Sequence, residues 1–186
     1  MKNLILRTLL VCLLVPVSSA FAQEKPKENP LTGYTKRMHS SIKLILVTTA
    51  EKMPEEHYSF KPVESVRTFG QILGHVADSQ YYFCSTLIGE KSPAPNAEKT
   101  KTSKADLIAV LNEAFTYCDK AYAGLNDVTG AELTKMMGGE MPKLGALTTN
   151  NLHAIEHYGN LVTYMRIKGL VPPTSEPAVM EQLRKK

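Results

Sequence analysis

Two histidines, His153 and His157, stand four residues apart in the run NLHAIEHYGNLVTYMRIKGLVPP, residues 151–173. On a helix that spacing is about 6 Å of rise, so both imidazoles lie on one face, a turn apart. Two imidazoles so placed can grip one divalent ion. The order is not HExxH: Glu156 directly precedes His157 and is out of place for that motif's base. Stepping by three and four from His153 passes Asn150, His157, Asn160, Leu161 and Tyr164. The last two are core residue types, so the pair is expected to point inward. A third imidazole, His75, lies on a stripe with Thr68, Ile72, Val76, Ser79, Tyr82 and Phe83. Three neutral imidazoles with open coordination positions would make a catalytic-type site for zinc, nickel or iron. The competing reading is a histidine pair satisfied within the fold or solvated at its surface, and spacing alone leaves it open.

The remaining histidines of the sequence after residue 22 are expected to be solvated: His39 on a polar face of the first helix, and His57 in the charged loop PEEHY. Met136, Met137 and Met141, near Gly138 and Gly139, are expected to pack rather than to line a cleft. Asn150, Asn160, Tyr158 and Tyr164 are candidates to support the ligands by hydrogen bonds, or simply to pack. No general base stands out. Glu156 is about 100° round the helix from His157, and Glu140 sits in a Gly-rich loop.

Four helices are needed to hold these residues, and the sequence marks each. The first is expected over about 31–52, with Tyr34, Met38, Ile42, Ile45, Leu46 and Thr49 on its apolar face and Pro54 ending it. The second opens with the capping pair Thr68 and Gln71 and closes at Gly89. A polar, Pro-rich connection covers 90–102. The third runs from Ser103, with Asp106 three residues on, to about Gly124, along Leu107, Val110, Leu111, Ala114, Cys118, Ala121 and Leu125. Residues 126–142 read as irregular, with no period-two alternation. The fourth covers about 143–168 and is stopped by Gly169, Pro172 and Pro173. A short helix is expected near 178–183. The class is therefore all-α, a four-helix bundle.

Residues 1–22 read as a secretory signal peptide. Lys2 and Arg7 precede an uncharged apolar run at 8–17, and Ala20-Phe21-Ala22 is a small-x-small cleavage site. The run is too short for a membrane anchor, carries Pro16, and places Cys12 wrongly for lipidation. The expected product is an exported, periplasmic or secreted protein with no stable membrane insertion. Its 164 residues form a flexible leader over 23–30, a bundle over 31–173 and a C-terminal tail over 174–186. The formal charge of +4 falls to +2 without residues 1–22, and Trp is absent, so nothing points to nucleic acid. Cys84 and Cys118 remain. Two buried thiols are favoured over a disulfide, although the compartment would permit one.

Three stretches resemble the DinB-like superfamily: TFGQILGHVADSQYYF (68–83) its second helix, NLHAIEHYGNLVTYMRIKGLVPP its last, and MPEEHYSFKP (53–62) the link between its first two. The similarity spans nearly the whole chain after residue 22. It implies a bundle of up-down-down-up connectivity and a divalent metal held by His75, His153 and His157, all present here. Members include thiol-dependent S-transferases and metal-dependent hydrolases. The resemblance thus implies an enzyme of one of these kinds, acting on an unidentified small-molecule substrate. The alternative is a non-catalytic bundle that captures a metal or small ligand, with a homodimer as a candidate assembly.

Overall fold

The computed structural model describes residues 28–185. The signal-peptide reading of 1–22 and most of the leader lie outside the described residues. The chain is mainly helical. It runs α1 (Pro30–Lys52), α2 (Phe69–Ile88), α3 (Ala97–Thr100), α4 (Lys104–Ala123), α5 (Asp127–Gly130), β1 (Leu133–Met136), β2 (Gly139–Pro142), α6 (Lys143–Ile167) and α7 (Pro177–Arg184). Short 3-10 turns occupy Glu55–His57 and Pro173–Ser175. Among the described residues no helix is long and apolar enough to cross a membrane.

The expected helix ends are observed to within a residue or so, because local chemistry sets them. Thr68 accepts from the Gln71 backbone while the Gln71 side chain accepts from the Thr68 N–H, a reciprocal box that starts α2. Gly89 closes that helix in the left-handed region, at φ 73°. Ser103 caps α4 by accepting from the Asp106 N–H. The start of α1 is held differently. Asp127, at the first position of α5, accepts from the backbone of Leu31 and Thr32 and from the Thr32 hydroxyl.

The four long helices close a ring in which α1 packs on α4 and α6, and α2 on the same two. Residue pairs give the directions. Thr32 meets Asp127 just past α4, His39 meets Asp119, and the Lys104 ammonium reaches the Met53 carbonyl, so α1 and α4 are antiparallel. Gly70 faces Leu107 and Cys84 faces Cys118, so α2 and α4 are parallel. His75 meets His153 and Gln80 meets Asn150, so α2 and α6 are antiparallel. Phe69, Leu73, Leu46, Leu111, Phe115, Leu161 and Met165 fill the interior. Burying a side chain of this size is worth about 1.5–3 kcal/mol.

Several expectations need correction. The inward stripe of α1 is Thr32, Thr35, His39, Ile42, Ile45, Leu46 and Thr49, while Tyr34 is 59% exposed. His39 is therefore not solvated. It is 1% exposed, stacks on Tyr122 with ring centroids 3.9 Å apart, and meets the Asp119 carboxylate at 3.1 Å. The segment 126–142 is not irregular: it holds α5 and an antiparallel hairpin pairing Leu133 with Pro142 and Met136 with Gly139. Its two-residue turn is Met137-Gly138, with φ of 54° and 80°. Both residues are in the left-handed region that tight hairpins require. Met136 anchors the hairpin by packing with Phe83 and Ala146, as its packing role anticipated. Cys84 and Cys118 are a disulfide rather than two thiols, because parallel α2 and α4 bring their Cα atoms to 5.2 Å.

Candidate metal centre

The three imidazoles meet between α2 and α6. The Nε2 atoms of His75 and His153 are 3.1 Å apart, and those of His153 and His157 also 3.1 Å. The ligand atoms of all three lie within 4.8 Å of one another. The rings are tilted by 57° to 87° to each other, so they converge edge-on instead of stacking. His157 is buried, and His75 and His153 are half-buried.

Two neighbours of His75 on its own helix decide how it is held. Gly74 lies against α3 so closely that a Cβ there would stand 2.6 Å from the Glu98 nitrogen. Asp78, one turn further on, accepts from the N–H groups of Ala97 (2.8 Å) and Glu98 (3.0 Å). Asp78 thereby does for α3 what the N-cap residue Asn96 does not, since Asn96 makes no side-chain cap. Clamped this way, α3 delivers Glu98 to the site. One Glu98 oxygen accepts from His75 Nδ1 at 2.9 Å and the other from Arg67 Nε at 2.8 Å.

This arrangement fixes protonation states. Partial burial disfavours the charge on Glu98, but the hydrogen bonds and positive charge of Arg67 and His75 outweigh it and hold the carboxyl below its usual range. With the Nδ1–H of His75 donating its hydrogen bond to Glu98, the Nε2 lone pair of His75 faces the cluster. Burial, reinforced by the neighbouring imidazoles and Arg67, lowers the pKa of His153 and brings that of His157 down to about 4. His153 and His157 are then neutral near pH 7, the state in which imidazole ligates metals.

The donor set fits a cation. His153 Nε2 faces two nitrogens and can share a proton with one of them, so one contact sets lone pair against lone pair. A positive ion between the rings removes that repulsion. Two nitrogens bound at 2.0–2.1 Å to a tetrahedral ion stand about 3.3 Å apart, close to the 3.1 Å of the His75–His153 and His153–His157 pairs. The Nδ1 atoms of His153 and His157 are buried without a partner among the described residues. Of the three clustered rings, His75 alone is held by a carboxylate among the described residues.

The other sequence candidates lie elsewhere. Asn150 donates to the Gln80 amide oxygen beside the disulfide. Tyr158 meets Thr174, and Tyr164 donates to the Arg67 carbonyl. None of these hydrogen-bonds an imidazole of the cluster. Asn160 is exposed and lines the cleft beside His157. Glu156 and Glu140 are exposed. His57 is half-buried on its 3-10 turn and outside the cluster. Sequence reasoning missed Glu98 and Arg67. Glu98 sits in a segment that reads as a polar connector, and Arg67 directly precedes the Thr68 cap; no spacing ties either to a histidine.

Comparison with known proteins gives the family and the fold. A sequence model described as the DinB superfamily matches residues 45–161, from the middle of α1 into α6. An uncharacterised protein of Bacillus subtilis (strain 168), YjoA, is 30% identical over 126 residues, which are 64% of this chain and 79% of that protein. Two crystal structures share the fold. A DinB-like protein from Bacillus cereus ATCC 10987 gives a TM-score of 0.63 at 18% identity, covering 72% of this chain and 90% of its own. The DinB-like YjoA structure from Bacillus subtilis gives 0.59 at 23%, covering 73% and 92%.

Proposed function

Because the chain belongs to the DinB superfamily, we propose that it is an exported metalloprotein holding a divalent ion on His75, His153 and His157, and that it serves as a hydrolase or a thiol S-transferase. The observation that carries the reading is the convergence of three Nε2 atoms from two helices, with neighbours 3.1 Å apart. A divalent ion bound there would act as a Lewis acid, lowering the pKa of a water or thiol and polarising a carbonyl. The chain's own residues supply the rest. Glu98 fixes the tautomer and plane of His75. Burial keeps His153 and His157 unprotonated. His157 faces a cleft of about 570 Å³, the route by which a small molecule would arrive. The buried Cys84–Cys118 link supports an oxidising compartment and hence export.

Elemental analysis of the purified protein tests the reading. We expect about one zinc, nickel or iron per chain, and loss of that metal in His153→Ala. Full metal content in the variant would refute the ligand assignment. One observation favours the non-catalytic alternative, a bundle that only captures its ion or ligand. Among the residues lining the cleft Glu98 is the sole carboxylate, and both of its oxygens are engaged. A panel of ester, amide and thiol-transfer substrates separates the two readings: equal rates for the metal-loaded protein and a triple histidine variant would favour capture.

A further inference from the structure

We propose that the cleft beside His157 binds a small carboxylate-bearing molecule, and that Arg67 selects it by taking the carboxylate on the two terminal amino groups of its guanidinium. The charge balance and the reach of that molecule to the imidazoles rest on the metal-centre reading; the Arg67 fork and the cleft do not.

Three features carry the proposal. First, Arg67 is preorganised. Its Nε donates to Glu98 at 2.8 Å, which sets the plane of the guanidinium, and its carbonyl is pinned by the Tyr164 hydroxyl at 2.7 Å. No described residue hydrogen-bonds its two terminal nitrogens, and the side chain is 43% exposed along the cleft wall. A guanidinium held by one edge presents the other as a flat fork, the shape that matches a carboxylate. Fixing it beforehand lowers the ordering cost of binding.

Second, charge balance calls for an anion. Arg67 is the cleft's one basic lining residue and Glu98 its one acidic residue. They cancel each other. A divalent ion would leave the site with two uncompensated positive charges in a partly enclosed space. A carboxylate-bearing molecule offsets this; a cation would be repelled.

Third, the size and lining suit a small polar molecule. The cleft's volume lies within the range of small-molecule sites. Gln71 and Asn160, both exposed amides, flank it and can donate to further oxygens.

The test compares glutarate with its uncharged diamide, glutaramide, by ligand-observed NMR on the full chain, zinc-loaded and zinc-free. It uses wild type, Arg67→Met and Arg67→Lys, with zinc content and circular dichroism confirming the fold of each. We expect zinc-loaded wild type to prefer glutarate, Arg67→Met to bind it about tenfold more weakly at unchanged zinc content, and Arg67→Lys to recover part of the loss. Equal glutarate affinity in wild type and Arg67→Met would overturn the proposal. If wild type takes up no zinc, the metal-centre reading fails and the zinc-free arm decides the anion site. Saturable glutarate binding abolished by Arg67→Met sustains it; no such binding overturns it.

Discussion

Glu98 accepts a hydrogen bond from His75 Nδ1 at 2.9 Å, although 23 residues and a helix end separate them. The contact exists because Gly74 and Asp78, on either side of His75 along α2, hold the one-turn helix α3 against the site. A carboxylate placed this way sets which imidazole nitrogen is free to ligate.

Removing that carboxylate should weaken the metal without removing it. Glu98→Gln keeps an acceptor but loses the charge, and we expect zinc affinity to fall roughly tenfold; Glu98→Ala should cost up to about a hundredfold. Competition against a chelator of known affinity measures both. Unchanged affinity in Glu98→Ala would show that His75 needs no orienting partner.

Gly74→Ala tests the clamp itself. The new Cβ would meet the α3 backbone at 2.6–2.8 Å, where no flexible side chain can yield. Overpacking of this kind costs about 1–3 kcal/mol, and the shift of α3 should carry Glu98 off His75. Thermal melting should show a lower midpoint and chelator competition a weaker metal. A melt matching wild type, with normal zinc affinity, would mean α3 is free to move.

Acid sensitivity follows from His39. Burial, against the opposing pull of Asp119, holds its pKa at about 4 in the folded protein, while an unfolded histidine titrates near 6.5. As pH falls through 6.5 the unfolded chain takes up a proton that the native state refuses until near 4. The stability this group contributes above 6.5 is therefore lost progressively between 6.5 and 4, on the order of 3 kcal/mol in full. Denaturant melts of chelator-treated protein at pH 7.5 and 4.5 should show a larger loss in wild type than in His39→Gln. Equal losses would place the acid sensitivity elsewhere.

The Cys84–Cys118 bridge closes a loop of 34 residues between two core helices. Loop-closure entropy for that length corresponds to about 4 kcal/mol. Chemical denaturation with and without reductant should differ by that order, and the double variant Cys84→Ala, Cys118→Ala should match the reduced protein. Zinc content should be the same in both, because neither sulfur is part of the histidine cluster. Metal lost on reduction would join the bridge to the site.

Features written in neighbouring residues were legible in the sequence. Thr68 with Gln71 and Ser103 with Asp106 mark helix starts whose partners are three residues away, and the His153–His157 spacing is local in the same sense. The inward face of α6 was legible because Leu161 and Tyr164 are unambiguous core types. The α1 face was misread because Thr32, Thr35 and His39 are polar residues buried by partners on other elements, Asp127 and Asp119 among them. The hairpin was missed because four-residue strands are too short to display a period, and its turn is Met137-Gly138 rather than an Asn-Gly or Asp-Gly pair. Glu98 and the disulfide depend on which helices become neighbours, which no local pattern encodes.

The cap on α1 also constrains how the molecule is made. Asp127, which satisfies the opening N–H groups of Leu31 and Thr32, is 95 and 96 residues downstream of them. A ribosome therefore exposes the first helix long before it synthesises the group that completes it. Nascent chains halted before Asp127 should leave that end frayed, so the bundle seals its opening turn only once most of its length has emerged.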